Sequence, residues 1–297
     1  MWIPITILAA FSQNLRSTFQ KKLQSNLSDI GSTYVRFLYG LPFAIIYLIV
    51  LNNKFGTSNI LYSSKFFLFC SLGGISQIIA TFLLLKIFNS KNFAVGTAYS
   101  KTEPMQAVFF GLIILNESIN LIGLSGIVMG LFGVILMTIK SFNKTFSILT
   151  FFNTSTYLGI LSGTFFGISA VLFRGASLSL NNSNFLLSSA LTLAIVLFIQ
   201  TLLLTIYLFY FDKKQILLTF NNFKDCIIVG FFGALASICW FYAMTIQNVA
   251  YVRALGQIEL IFTIFITIFY FREKITINEI FGIILVILGI ITIIMFS

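Results

Sequence analysis

The sequence predicts an all-α integral membrane protein, with ten transmembrane helices arranged as two inverted five-helix repeats around a central cavity. Three observations carry this. Of 297 residues, 58% are hydrophobic and 9% charged, whereas a soluble domain needs roughly a quarter of its residues charged. Apolar runs recur along the whole chain, each close to the roughly 20 residues that cross a hydrocarbon core as a helix. The second half also repeats the first at a step of 156 residues. Glu103 in GTAYSKTEPMQ matches Glu259 in VRALGQIELIF, and Glu117 in LNESI matches Glu273 in FREKI. Without a gap, the same step takes Cys70 to Cys226, Gly74 to Gly230, Ala80 to Ala236, Asn92 to Asn248, Ala98 to Ala254, Gly126 to Gly282 and Gly133 to Gly289.

Taken in order, the first span is read at 3–21. It lacks a basic n-region, and Gln13, Asn14 and Arg16 interrupt its apolar stretch, so it is a mature helix and not a signal peptide. The second span, 32–51, carries Tyr34, Arg36 and Tyr39, and the third, 66–88, carries Gln77 and Thr81. The fourth, 93–115, holds Tyr99, Lys101, Glu103 and Pro104. The fifth, 121–140, has Gly126, Gly130 and Gly133 at spacings suited to close helix contact. A polar segment, 141–155, links the halves. Span six, 156–179, repeats the glycine spacing with Gly159, Gly163 and Gly167 and contains Ser169 and Arg174. Spans seven and eight run over 185–211 and 226–246, the latter with Trp240 and Tyr242. Span nine, 250–271, brings Arg253, Gln257 and Glu259, and span ten, 278–297, brings Gly282 and Gly289. The remaining long connections, 52–65 and 212–225, are rich in Asn, Ser and Lys and read as loops. The units are therefore 1–140, a linker over 141–155, and 156–297. Five crossings per unit, an odd number, turn the second unit upside down relative to the first.

Charge and rare residues exclude several functions. The net charge is +10, but the cations mostly flank spans, as topology signals do, and no basic face with interleaved aromatics suits nucleic acid. Lys21, Lys22, Lys91, Lys140, Lys144, Lys213, Lys214, Lys224, Arg272 and Lys274 fall on the odd-numbered connections, against Lys54 and Lys65 on the opposite side. The positive-inside rule then puts the odd connections in the cytoplasm and both termini outside. Cys70, Cys226 and Cys239 lie in apolar spans without CxxC spacing and read as buried small hydrophobes. There is no histidine, which removes Ser–His–Asp, HExxH and histidine–metal chemistry. No GxxxxGK[ST] phosphate loop is present. No enzyme activity, cofactor or metal is expected.

The chemistry lies in the spans. Glu103 falls about ten residues into its helix, roughly 15 Å at the helical rise, and Glu259 reaches a similar depth from the other face. A carboxylate there must be paired, protonated or facing water. Three roles remain open: a polar brace between helices, a lining of the substrate path, and a proton-coupling site. Pro104 frees a backbone carbonyl one turn back, so a broken helix is expected beside Glu103. Leu260 follows Glu259, so the break is expected in one half only. Lys101 and Glu103 are two apart and do not share a helix face, so Glu103 needs a partner on another helix. Arg36 and Arg253 are read as snorkelling toward headgroups, whereas Arg16 and Lys101 are too deep for that. The expected substrate-binding set is Gln13, Asn14, Arg16, Tyr34, Tyr39, Gln77, Tyr99, Lys101, Glu103, Trp240, Tyr242, Gln257 and Glu259, forming an amphipathic pocket.

Ten spans as five plus five, the KNFAVGTAYSKTEP segment leading into span four, and the LNESI and FREKI turns before each last span resemble the drug/metabolite transporter superfamily, EamA-like branch. The resemblance covers essentially the whole chain and is strongest over 70–141 and 226–297. It implies a ten-helix bundle that carries small organic molecules by alternating access, with Glu117 and Glu273 as structural turn residues. Such relatives are often drawn with cytoplasmic termini, opposite to the charge census. Amino acids or their derivatives lead as substrate, since a zwitterion uses both Lys/Arg and Glu groups. Efflux of lipophilic cations or drugs, and a non-transporting membrane scaffold, are the alternatives. The expected partners are the lipid bilayer and a small-molecule substrate, with no nucleic acid and a monomeric assembly. A composition heavy in Ile, Phe, Asn and Lys points to an AT-rich bacterial genome, and the expected location is the bacterial plasma membrane.

Overall fold

A computed structural model of the chain describes residues 1–56, 62–88, 99–138, 154–262 and 277–296. The described residues form helices joined by short turns, with no strand among them. In chain order the helices are α1 (Trp2–Leu23), α2 (Asp29–Leu38), α3 (Leu41–Phe55), α4 (Ser64–Phe88), α5 (Glu103–Leu115), α6 (Leu121–Thr138), α7 (Thr154–Ser179), α8 (Phe185–Phe211), α9 (Lys213–Asn221), α10 (Phe223–Ile246), α11 (Val249–Leu255) and α12 (Ile277–Phe296). Among the described residues, six stretches are long and apolar enough to cross a membrane: Asp29–Phe55, Ser64–Ile87, Thr154–Ser179, Phe185–Phe211, Phe223–Ile246 and Ile277–Phe296. Two shorter apolar helices, Glu103–Leu115 and Leu121–Met137, accompany them. Large apolar side chains such as Phe109, Ile113, Phe132, Phe198 and Leu202 point outward and exposed, as they do where the outer solvent is lipid. Residues 139–153 of the predicted linker region, together with Asn92, Ala98, Glu273 and the loop cations Lys91, Lys140, Lys144, Arg272 and Lys274, lie outside the described residues.

Local sequence explains the helix ends. Ser28 accepts a hydrogen bond from the Gly31 amide and caps α2, and Asn184 accepts from the amides of Leu186 and Leu187 to cap α8. Each replaces a partner that the first turn lacks. α5 ends on Asn116 at φ 55°, a left-handed conformation that asparagine tolerates better than most residues. The second predicted span is two helices, because the chain bends at Tyr39–Gly40 just before Pro42. The bend docks on α10 at Gly230, where an added Cβ would overlap the Tyr39 backbone.

Glycine contacts position the helices. α6 and α12 cross where Gly126 faces Gly289 and Gly133 faces Gly282. A Cβ at Gly133 would lie 2.6 Å from the Gly282 carbonyl oxygen, and one at Gly289 equally close to that of Gly126. The equivalent positions of the two halves therefore meet reciprocally, and backbone approaches backbone without side chains between. On α7, Gly163 and Gly167 admit residues 100–107: a Cβ at Gly163 would meet the Ser100 carbonyl at 3.0 Å.

The connection 212–225, read from sequence as a loop, contains α9. This helix lies against the start of α2: the Gln215 Oε1 accepts from the Ser28 amide at 3.0 Å, and the Tyr39 hydroxyl donates to the Thr219 carbonyl at 2.9 Å. Its mixed polar and apolar sequence hid a surface helix whose partner is supplied by tertiary contact. At the same end, Asn26 bonds Asn222, and Lys22 lies 3.6 Å from Asp225, so the α1–α2 and α9–α10 connections share one face of the bundle. The three cysteines are free and buried.

Candidate functional site: a charged cavity between two broken helices

The fourth and ninth predicted spans are both interrupted at their charged segments. Before α5 the chain makes a turn at Lys101–Thr102, and after α11 it turns at Gly256–Gln257 before helix resumes over 258–262. The expectation of a break in one half only is corrected. Pro104 stands in the first turn of α5 and cannot donate to the turn before it. In the second half no proline is needed. Gly256 ends α11 where the Trp240 ring fills the space a Cβ would take. One side chain bridges the two breaks across the repeat, since Gln257 Nε2 donates to the Lys101 carbonyl at 3.3 Å.

Exposed by these breaks, the charged side chains form a continuous chain of contacts from Lys101 to Glu103. Lys101 Nζ lies 3.0 Å from Glu259 Oε2, and Gln13 Nε2 donates to that same oxygen at 3.0 Å. Gln13 Oε1 in turn accepts from the Trp240 indole at 3.0 Å, which orients the amide unambiguously because indole is only a donor. The Arg253 guanidinium lies 4.5 Å from the centre of the Trp240 ring, within cation–π range. Its Nε is 2.9 Å from Glu103 Oε1, although the N–H direction does not make this a directed hydrogen bond; it is a close ion contact. Glu103 opens α5, where the helix N-terminus also favours an anion. Each carboxylate thus takes its cation from the other half of the chain, as the two-residue spacing of Lys101 and Glu103 demands.

A cavity of about 290 Å³ opens beside this chain of contacts, walled by Gln13, Asn14, Arg16, Ser17, Thr18 and Lys21 of α1, Leu84 of α4, Phe166 of α7, and Ser100, Lys101, Glu103, Arg253, Glu259 and Leu260 from the broken segments. Of the residues expected from sequence, Gln13, Asn14, Arg16, Lys101, Glu103 and Glu259 line it, and Trp240 and Gln257 join them around a smaller recess behind it. The others lie elsewhere. Tyr34 bonds Thr205 on α8 at 2.9 Å, Gln77 accepts from Gln200 of α8 at 2.9 Å, and Tyr39 faces α9. They join helices away from the cavity. Tyr99 and Tyr242 are half-buried and outside its lining.

Two cations are corrected. Arg253 is 8% exposed and Arg36 6% exposed, so neither snorkels. Arg253 pairs with Glu103, and Arg36 donates to the Thr81 hydroxyl at 2.9 Å. Sequence reasoning passed over Arg253 because it stands near the start of its span. The available signal was its place six residues before Glu259 on a helix with no other cation in the described part.

A second ionic cluster holds the opposite ends of the same helices. Arg174 Nε bonds both oxygens of Glu117, at 2.8 and 3.1 Å, while its Nη1 donates to the carbonyls of Met244, Thr245 and Gln247. These carbonyls lie at the end of α10, where helical donors run out. Asn248, which caps α11, donates to Glu117 Oε2 at 3.1 Å. This clasp ties α5, α7, α10 and α11 together.

Such a bundle, with lipid-facing apolar surfaces and a buried charged cavity between interrupted helices, defines a multi-pass membrane transporter. The model of the EamA-like transporter family matches the chain twice, over residues 1–139 and 154–295, and the chain belongs to that family, of the drug/metabolite transporter type. A solved crystal structure is similar in fold, with a TM-score of 0.71 at 12% sequence identity over 98% of this chain and 94% of the other. No curated protein matches the sequence.

Proposed function

We propose that this transporter is a secondary carrier that moves a small organic metabolite, with amino acids and their derivatives leading, across a bacterial plasma membrane by alternating access. The observation that carries the reading is the cavity beside the Lys101–Glu259 and Glu103–Arg253 pairs. It offers both signs of charge and several hydrogen-bond donors to one amino-acid-sized solute, and its volume is near the lower end of the roughly 300–1,000 Å³ typical of small-molecule sites. Gln13, Asn14, Arg16, Lys101, Glu103, Trp240, Gln257 and Glu259 are the proposed binding residues.

The architecture proposed with it is ten crossings in two inverted five-helix units, 1–140 and 156–297, joined by 141–155. In support, the helix breaks recur at nearly the repeat step, the glycine contacts between α6 and α12 are reciprocal, and the family model matches each half separately. Cation efflux gains nothing from the site, because Arg16 and Arg253 repel a cation and Arg253 already occupies the Trp240 face.

The test is flux of labelled amino acids into liposomes holding the purified protein. Glu103→Gln and Lys101→Ala are each expected to lower initial flux about tenfold or more, since each strips a buried partner of its counter-charge. Folding is checked by the size-exclusion profile. Failure of every solute class to cross, with folded protein, removes the carrier reading. Parental flux in both variants removes the cavity from the path.

A further inference from the structure

Both carboxylates of the cavity are already committed, yet two more buried arginines stand beside it without one. Arg16 lines the cavity and is 3% exposed. Its Nη2 bonds the neighbouring Ser17 hydroxyl at 3.1 Å, its Nε has no partner, and no carboxylate among the described residues lies within 4.0 Å of it. Arg36, directly behind, has the Thr81 hydroxyl and the face of Phe37 for neighbours. The two stems converge on Gly233 of α10, where a Cβ would lie 3.5 Å from Arg16 Cδ and 3.6 Å from Arg36 Cγ. Glycine at this position leaves room for two like charges that repel each other.

A buried cation without a counter-charge in contact is destabilising, and here two lie side by side at the wall of a cavity, with Glu259, the carboxylate whose field reaches Arg16, already paired to Lys101. Among the described residues, the cavity wall carries Arg16, Lys21, Lys101 and Arg253, with Arg36 behind it, against Glu103 and Glu259. The site lacks negative charge, and the ligand is the means of supplying it. We propose that Arg16, backed by the field of Arg36, receives the acidic group of the transported solute, so that the preferred solutes are small organic anions carrying a carboxylate or phosphate in excess of any ammonium group. The planar guanidinium fork matches either oxyanion. This rests on the carrier reading above and narrows its substrate class.

The test compares charge isosteres in purified full-length protein. Binding of L-glutamate is measured against L-glutamine, and of glycerol 3-phosphate against glycerol. At least one anion is expected to bind about tenfold or more tightly than its neutral counterpart, and the pair that discriminates separates carboxylate from phosphate recognition. Arg16→Gln is expected to abolish that preference, weakening the anion by about 10- to 100-fold, and Arg16→Lys to restore part of it. A second readout guards against a folding defect. Removal of an uncompensated buried charge raises the thermal midpoint of the unliganded Arg16→Gln protein, whereas loss of a structural brace lowers it. Equal affinity within both pairs, or an anion preference that survives Arg16→Gln, overturns the proposal. Glutamine flux that is unchanged by Arg16→Gln and equal to that of glutamate leaves the carrier standing and overturns the anion receptor. Absence of flux for every solute overturns the carrier reading, while the binding comparison still decides the receptor.

Discussion

Arg253 and Glu103 illustrate what burial does to a charge. Each is desolvated, and each is tolerable only because the other lies 2.9 Å away. Neutralising one leaves the other alone in a low-dielectric interior, which costs about 3–5 kcal/mol. Glu103→Gln and Arg253→Gln should therefore each lower the thermal midpoint in detergent sharply, and the double variant should be more stable than the sum of the singles predicts. Additive effects would mean that the pair does not interact. Gln13 makes a subtler case. Its amide bridges Glu259 and Trp240, and Gln13→Leu removes both bonds while keeping volume. An exposed glutamine would tolerate this, but here Glu259 Oε2 loses the donor that complements Lys101 and the Trp240 indole loses its acceptor, so a loss of about 1–3 kcal/mol is expected.

Between helices, the decisive contacts are backbone to backbone. At Gly133 any side chain collides with the Gly282 carbonyl and Val286 of α12, whereas at Gly111 of α5, although it is buried, an added Cβ meets nothing within 4 Å. Gly133→Val should destabilise by about 1–3 kcal/mol through overpacking. Gly111→Ala should be neutral or stabilise by up to about 1 kcal/mol through helix propensity. Thermal unfolding of the two variants checks the contrast. The Arg174 clasp is an element-scale device as well. Arg174→Ala strips three carbonyls at the end of α10 and the partner of Glu117 at once. Faster hydrogen exchange is expected across 244–248 without change in the distant α6–α12 contact, and unchanged exchange at 244–248 would show that the clasp does not hold the end of α10.

For the whole molecule, the clustering of the α1–α2 and α9–α10 connections on one face gives the charge census a geometric counterpart. The positive-inside reading puts that face in the cytoplasm and the α3–α4 connection outside. Asn53 and Asn26 are both exposed, and the native cysteines are buried, so added thiols report cleanly. A membrane-impermeant maleimide applied to intact cells should label Asn53→Cys and spare Asn26→Cys. The reverse pattern would place both termini in the cytoplasm, as the drawn topologies of its relatives have it.

Much of this protein was legible in its sequence, for reasons that differ by feature. Hydropathy alone determined that the chain is helical and polytopic, because a bilayer leaves the backbone no unsatisfied alternative. The 156-residue step picked out Glu103 and Glu259, because a carboxylate at such depth is expensive and its recurrence is hard to attribute to drift. Partners were beyond reach. That Lys101 answers Glu259, that Arg253 answers Glu103 across the repeat, and that Tyr34, Tyr39 and Gln77 turn toward other helices depend on which faces meet. Helices that are apolar almost all round carry no periodic record of that. The break at Gly256–Gln257 and the helix at 213–221 were hidden likewise, since packing against Trp240 and against α2 creates them. Sequence determined which residues cannot face lipid; only the tertiary structure decided what each faces instead, and that Arg16 faces a cavity without a counter-charge of its own.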